Sequence, residues 1–359
     1  MKIAVFGHKT FPSRIGGVEV AVRELCVRMA NRGHTVVCYD RGGGRKRIQE
    51  GVTVHPVPTM GSGGLAAVTS SFCAAVMAAV SDAEVVHIHG EGPAFWCWLP
   101  KAAGKRVIVT IHGLDWQREK WRRTPGKSYI RLGEQATVRF ADEIIVLTAH
   151  AGSYFQRVYG RDTVQIPNGI ARPEKETEKA IRAWGLEQDG YLLYLGRLVP
   201  EKGITRLIAA YRQTKTNKKL VIAGAADSED YLKQLKTAAE EEPRICFTGF
   251  VDGETLESLY SNAWAYLLPS DLEGMPISLL EAMSYGNCCL VSDLPECVET
   301  AAEHVLYFQK GNVRDLQEKL QTICDSPALV ESYRKNTADY VCQKYSWETA
   351  VEQTLELYR

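Results

Sequence analysis

The chain has 359 residues, more than one α/β domain ordinarily needs, so two domains of moderate size are expected, each with its own core. Lysine plus arginine and aspartate plus glutamate each total 43, a balance that removes any global argument for nucleic acid or an anionic membrane and leaves charged recognition to local patches. The 10 cysteines are scattered without a CxxC pair, and Cys288-Cys289 lie in an apolar run as buried thiols do, which fits a reducing compartment and a cytoplasmic protein.

In chain order, Met1-Lys2-Ile3-Ala4-Val5-Phe6-Gly7 reads as a buried strand ending in a glycine turn, its apolar stretch too short for a signal peptide. Gly16-Gly17 follows; glycine there serves equally as a flexible turn or as backbone kept open to a ligand. Further strands are expected near residues 35–39, 85–88, 106–111 and 143–147, with helices between most of them. The nearly uncharged stretch Leu65 to Val80 falls short of the roughly 20 apolar residues of a membrane span and reads as a buried helix. After Ile166-Pro167-Asn168-Gly169 comes turn chemistry and a charged, aperiodic linker, and the alternation restarts with strands near 191–195, 220–223, 245–248, 265–268 and 288–291. This is the pattern of parallel sheets with helices on both faces. Residues 1–170 and 171–345 are therefore expected as two Rossmann-like domains facing across a cleft, with a last helix at about 346–359, capped by Ser346, able to pack back on the first.

The chemistry concentrates in the second half. In Pro269-Ser270-Asp271-Leu272-Glu273-Gly274-Met275-Pro276 a strand runs through a loop into a helix, whose free amides and dipole favour an anion. Glu273 outside that helix and Glu281 two turns inside it are placed to accept hydrogen bonds from hydroxyls; alone, they could equally complement the dipole and pair with a surface cation. In Gly196-Arg197-Leu198-Val199-Pro200-Glu201-Lys202-Gly203 two cations stand at the end of the first strand of the same domain. Preorganised there, they would stabilise charge developing on a leaving diphosphate; alone, they could be solvated or paired with carboxylates. His112, at the end of a strand and before Gly113, is either a structural histidine or a site residue.

Together and in this order, these motifs resemble the donor site of family 4 retaining glycosyltransferases of GT-B fold, and the resemblance extends over essentially the whole chain. It implies that Gly16 and Gly17 open a helix beside the donor phosphates and that His112 lies near the donor sugar. It further implies that Arg197 and Lys202 grip the diphosphate, Glu273 a sugar hydroxyl and Glu281 the ribose, with Val251 against the base. Many members carry Gly-aromatic-Gly after the first glutamate, whereas this chain has Gly274-Met275-Pro276, and Pro276 lacks an amide donor. The segment from Leu114 to Arg123 is similar to a stretch in members that build bacterial surface polysaccharides, rhamnosyltransferases among them. It implies an acceptor-facing loop with Trp116, Arg118 and Trp121, and a glycan or lipid-linked acceptor at a membrane surface; the same residues could instead be a surface helix with its tryptophans turned inward.

No Asp-x-Asp at a strand end suggests a metal, so the expectation is a metal-independent transferase with no cofactor beyond its nucleotide-sugar donor. The competing readings are a nicotinamide oxidoreductase, which lacks its Gly-x-Gly-x-x-Gly here because Gly7 is followed by His8-Lys9-Thr10, a sugar-nucleotide epimerase on the same fold, and a non-catalytic sugar-nucleotide binder.

Overall fold

A computed structural model describes residues 1–42, 44–121 and 124–359. The chain forms two compact units, Met1–Gly169 with Trp347–Arg359, and Ile170–Ser346.

In the first unit eight strands form one sheet: β1 (Lys2–Phe6), β2 (Thr35–Arg41), β3 (Arg47–Gln49), β4 (Val52–Val57), β5 (Val85–His89), β6 (Arg106–Ile111), β7 (Glu143–Val146) and β8 (Val164–Gln165). Their order is β3-β4-β2-β1-β5-β6-β7-β8, parallel throughout except for the β3–β4 pair. The central strands are continuous apolar runs because helices cover both faces: α1 (Gly17–Asn31), α2 (Gly63–Val80), α3 (Glu91–Ala94), α4 (Trp98–Ala102), α5 (Pro125–Phe140) and α6 (Ala149–Tyr159). Chain order reverses between β1 and β5, so the crossovers leave that sheet edge in opposite directions and open a crevice there. Gly7, at φ +113°, lies so close to β5 that a Cβ would sit 2.1 Å from the His89 carbonyl oxygen.

The second unit carries β9 (Tyr191–Leu195), β10 (Lys219–Ala223), β11 (Ile245–Gly249), β12 (Ala265–Leu268), β13 (Cys288–Ser292) and β14 (Leu306–Phe308), in the order β11-β10-β9-β12-β13-β14, all parallel. Its helices are α7 (Ile204–Arg212), α8 (Glu229–Ala239), α9 (Gly253–Asn262), α10 (Ile277–Ser284), α11 (Pro295–Ala301), α12 (Val313–Asp325) and α13 (Pro327–Lys344). The reversal falls between β9 and β12. The last helix, α14 (Trp347–Leu357), belongs to the first unit: Glu348 pairs with Arg28 at 2.9 Å and with Arg32 at 2.5 Å, and Tyr358 Oη lies 2.6 Å from His87 Nδ1.

One element differs from its sequence expectation. Helix α2 is not buried: its core face is made of Ser70, Ser71, Ala74, Ala75 and Ala78, while Leu65, Phe72, Val76 and Val80 are exposed, Val80 to 81%. With 18 residues and a mean hydropathy of 1.7 it also has the length and composition of a membrane-crossing helix. Small residues allow close approach to the sheet, so the large apolar side chains are left on the outside; composition could not tell which face was which.

Candidate active site

In the second unit, the two strands that flank the reversal each deliver a charged residue to the carboxyl edge of the sheet. β9 ends at Leu195 and runs into Gly196-Arg197, and β12 runs into the loop that carries Glu273. Two glycines make this possible: at Gly203 (φ +69°) a Cβ would meet the Pro269 carbonyl oxygen at 2.0 Å, and at Gly224 (φ +142°) the Gly196 carbonyl oxygen at 1.8 Å. The turn Pro200–Lys202 is thereby pressed against the loop after β12, and Asp271 N donates to Glu201 O at 2.8 Å. Lys202 Nζ then donates to Glu273 Oε1 at 2.5 Å, and Ser270 Oγ donates to the same oxygen at 2.5 Å. Arg206 pairs with Asp271 alongside.

Arg197 stands at the same edge with its guanidinium 3.7 Å from Asp227 Oδ2, too long for a strong hydrogen bond. Glu281, in the second turn of α10, accepts from Tyr260 Oη at 3.1 Å. Pro276 is the residue that caps α10, its carbonyl accepting from Leu279 N at 3.1 Å and Leu280 N at 3.2 Å, so the helix start offers the amides of Ile277 and Ser278. Gly274 and buried Met275 lie in the loop that leads to it, and buried Val251 follows β11 on the same edge. Arg197, Lys202, Glu273, Gly274 and Met275 thus stand on one sheet edge with the start of α10.

In the first unit, Gly16 caps α1 and Gly17 is its first residue. His112 follows β6, its Nε2 2.9 Å from Nδ1 of His89 at the end of β5. His87, two residues earlier on the same face of β5, lies against His89 with ring centroids 4.3 Å apart and the rings tilted by 31°, and bonds Thr110 Oγ1 at 2.7 Å. Burial lowers His112 to about 4 against the opposing pull of Asp115 and Glu19. Burial lowers His87 to about 3 and holds His89 well below the usual histidine range. The three rings are therefore neutral at neutral pH and act through hydrogen bonds rather than charge. The influence of Glu19, from the first turn of α1, puts His112 and the start of that helix in one electrostatic neighbourhood.

Two family models cover this chain in sequence: "Glycosyltransferase Family 4" matches residues 15–172 and "Glycosyl transferases group 1" matches residues 176–340. The chain belongs to the family 4 glycosyltransferases of GT-B fold. It is 25% identical over 400 aligned residues to the α-maltose-1-phosphate synthase of Mycobacterium tuberculosis, covering 100% of this chain and 99% of that one. To the O-antigen chain mannosyltransferase B of Escherichia coli it is 32% identical over 202 residues, 53% of this chain and 51% of that one. An uncharacterised glycosyltransferase of Methanocaldococcus jannaschii is 32% identical over 183 residues, and this chain spans about half, 47%, of its length. Among solved structures, the sucrose-phosphate synthase of Thermosynechococcus elongatus superposes with a TM-score of 0.83 at 21% identity, over 100% and 98% of the two chains. WaaG, a glycosyltransferase involved in lipopolysaccharide biosynthesis, does so with 0.81 at 17% identity over 99% of each. The chain is a glycosyltransferase, and the epimerase reading has no support.

For this glycosyltransferase the aromatic segment after His112 is more firmly held than an open acceptor loop would be. Trp116 lies in the short helix Asp115–Gln117, its ring near Tyr154 with centroids 6.4 Å apart and overlain by Lys127 at 5.4 Å and Arg131 at 5.2 Å. Trp121 leans on α2 and α5, a Cβ at Gly64 or Gly126 falling 3.8 Å or 2.4 Å from its ring. Arg118 pairs with Asp115 at 2.8 Å. Arg122 and Arg123, the end of the segment, lie outside the described residues.

Sequence reading missed the partners that hold the site side chains. Ser270, which bonds Glu273, sits three residues before it in a loop with no periodicity to mark it. His89 had a signal: His87-Ile88-His89 puts two imidazoles on one face of a strand whose neighbour ends in His112.

Proposed function

We propose that this glycosyltransferase transfers its sugar with retention of anomeric configuration and without a metal, to a glycan or lipid-linked acceptor in surface polysaccharide synthesis. The observation that carries the reading is the contact of Lys202 with Glu273 at the carboxyl edge between β9 and β12, beside the start of α10 and with Arg197 at the end of β9 on the same edge. There Lys202 is held before reaction and, with Arg197 at the same edge, can stabilise charge that grows on the departing diphosphate, as a metal would otherwise do. Lys202 already bonds Glu273, so bound donor would divide the ammonium between carboxylate and phosphate, leaving Glu273 to orient a sugar hydroxyl. Glu281, on the rigid helix α10, is assigned to the ribose, and Val251 to the base. In the first unit the amide of Gly17 is assigned to phosphate and neutral His112 to the donor sugar on the family resemblance. In the retaining step the acceptor hydroxyl attacks the anomeric carbon on the face that the diphosphate leaves, and a phosphate oxygen takes its proton.

HepE of Anabaena, of the same fold, has been solved with UDP-glucose, and the mannosyltransferase relative acts on O-antigen chains; both favour a nucleoside diphosphate sugar and a surface glycan. The exposed face of α2, with Leu65, Phe72, Val76 and Val80 in one stripe, supports contact with the inner face of a membrane, and ten free cysteines support the cytoplasm. The test is a mass-spectrometric screen of sugar nucleotides for slow hydrolysis and transfer, with the anomeric configuration of the product read by NMR. An inverted product, or no turnover of any sugar nucleotide, overturns the proposal.

A further inference from the structure

Two glutamates are fully buried in the first unit, each at 0% exposure. Glu91 opens α3 directly after β5, and Glu134 lies in the second half of α5. The two helices touch: a Cβ at Gly133 would lie 2.0 Å from the Glu91 carbonyl oxygen, so only glycine allows the crossing. Donors reach each carboxyl on one oxygen. Glu91 Oε2 accepts from Asp115 N at 2.8 Å, and Glu134 Oε1 accepts from Tyr154 Oη at 2.9 Å and from Tyr159 Oη. The other oxygens, Oε1 of Glu91 and Oε2 of Glu134, are buried without a donor among the described residues, and the close backbone approach at Gly133 sets the two glutamates side by side across the α3–α5 crossing.

Two ionised carboxylates in contact in a water-excluded interior repel each other and lose their hydration. A single proton held between them turns two orphaned acceptors into one strong hydrogen bond. Burial, with Asp115 and Glu134 adding to it, accordingly pushes the Glu91 carboxyl well above the usual carboxylate range. The charged and titratable groups around the pair are Asp115 with its partner Arg118, Lys127 and Arg131 from α5, and Tyr154 and Tyr159 from α6. On the Glu91 side the pair accepts from Asp115 N, in the turn Gly113–Gln117 that follows His112.

We infer that Glu91 and Glu134 form a proton-sharing acid pair that pins the turn behind His112, making Glu91 a positioning residue for glycosyl transfer. The pair stands on the two buried, donorless oxygens and the α3–α5 crossing; the link to transfer rests on His112 belonging to the transfer site. Once the pair loses its proton, the second negative charge drives the carboxyls apart and the Asp115 amide loses its anchor.

The variants that test this are Glu91→Gln, which keeps an acceptor for Asp115 N and supplies an N–H toward Glu134 with no proton to lose, and Glu91→Ala, which removes both. Hydrogen exchange of the segment 113–118, corrected for intrinsic rate, is followed from acid to alkaline pH in the full-length chain, with infrared detection of a protonated carboxyl. Wild type and Glu91→Gln should be equally protected at neutral pH, and Glu91→Ala should exchange about tenfold faster or more. At high pH wild type should loosen and Glu91→Gln should not, and the carboxylic-acid band should vanish in Glu91→Gln. With UDP-glucose as probe donor, kcat should fall about tenfold or more in Glu91→Ala and stay within about threefold in Glu91→Gln. A Glu91→Gln protein as loose as Glu91→Ala, or no carboxylic-acid band in wild type, overturns the pair; if Glu91→Ala does not fold, these two comparisons still decide it. Normal turnover in a loosened Glu91→Ala overturns the positioning role. If no form turns over UDP-glucose, that donor is wrong, while exchange and infrared still decide the pair.

Discussion

Lys202 Nζ and Glu273 Oε1 are 2.5 Å apart, with side chains only 14% and 6% exposed, so the cation assigned to the donor diphosphate and the carboxylate assigned to its sugar are one buried unit. Removing one member strands the other away from water. Lys202→Met is expected to lower the unfolding free energy by about 3 kcal/mol, and Lys202→Met with Glu273→Gln by less than the sum of the single losses. Urea denaturation of the three variants measures this, and additive losses would show that the contact contributes nothing.

The catalytic consequence is separate. If Lys202 acts on charge that develops as the bond to phosphate breaks, Lys202→Ala in folded protein should lower kcat about a hundredfold while donor affinity changes less. With Arg197→Ala the double variant should lose less than the product, because both cations serve one diphosphate. Steady-state kinetics with calorimetric donor binding separates the cases: a raised KM at unchanged kcat would mean that these residues only hold the donor.

Glu281→Ala should weaken nucleotide binding about tenfold or more with little change in thermal stability, since the residue is half-buried and its bond from Tyr260 Oη is a long 3.1 Å. Calorimetric titration with the nucleoside diphosphate reads this directly, and wild-type affinity in the variant would remove Glu281 from the site.

Turnover should survive exhaustive EDTA treatment if, as proposed, Arg197 and Lys202 supply the charge neutralisation that a metal would otherwise give. Activity lost to EDTA and restored by Mg or Mn would contradict this.

The histidine cluster has a pH signature. His87, lowered by burial to about 3, stays neutral in the folded chain at pH values where the unfolded chain protonates it. The stability it confers is therefore present above about pH 6.5 and is lost as pH falls from there toward its folded value. His87→Gln, which can still bond Tyr358 and Thr110, should flatten the acid fall in unfolding free energy by on the order of 2 kcal/mol. An identical slope in the variant would assign the fall to other groups.

The alternation of strands and helices, and the place of Arg197 and Glu273 in the loops after β9 and β12, were legible in local pattern. Buried parallel strands such as Tyr191–Leu195 and Cys288–Ser292 must be continuous apolar runs, and the residues just past their carboxyl ends, Arg197 and Glu273 among them, face the open edge whatever else the chain does. Tertiary structure decided what local pattern cannot encode. The short strands Arg47–Gln49, Val164–Gln165 and Leu306–Phe308 exist because a neighbouring strand offers them hydrogen bonds, not because their own residues demand it. The outward face of α2 was set by which residues were small enough to meet the sheet. The pairing of Lys202 with Glu273 across 71 residues, and of Glu91 with Glu134 across the α3–α5 crossing, depends on glycines 203 and 133 letting backbones approach, because the energies of buried charge are fixed by distance and exclusion of water, which only the folded chain sets.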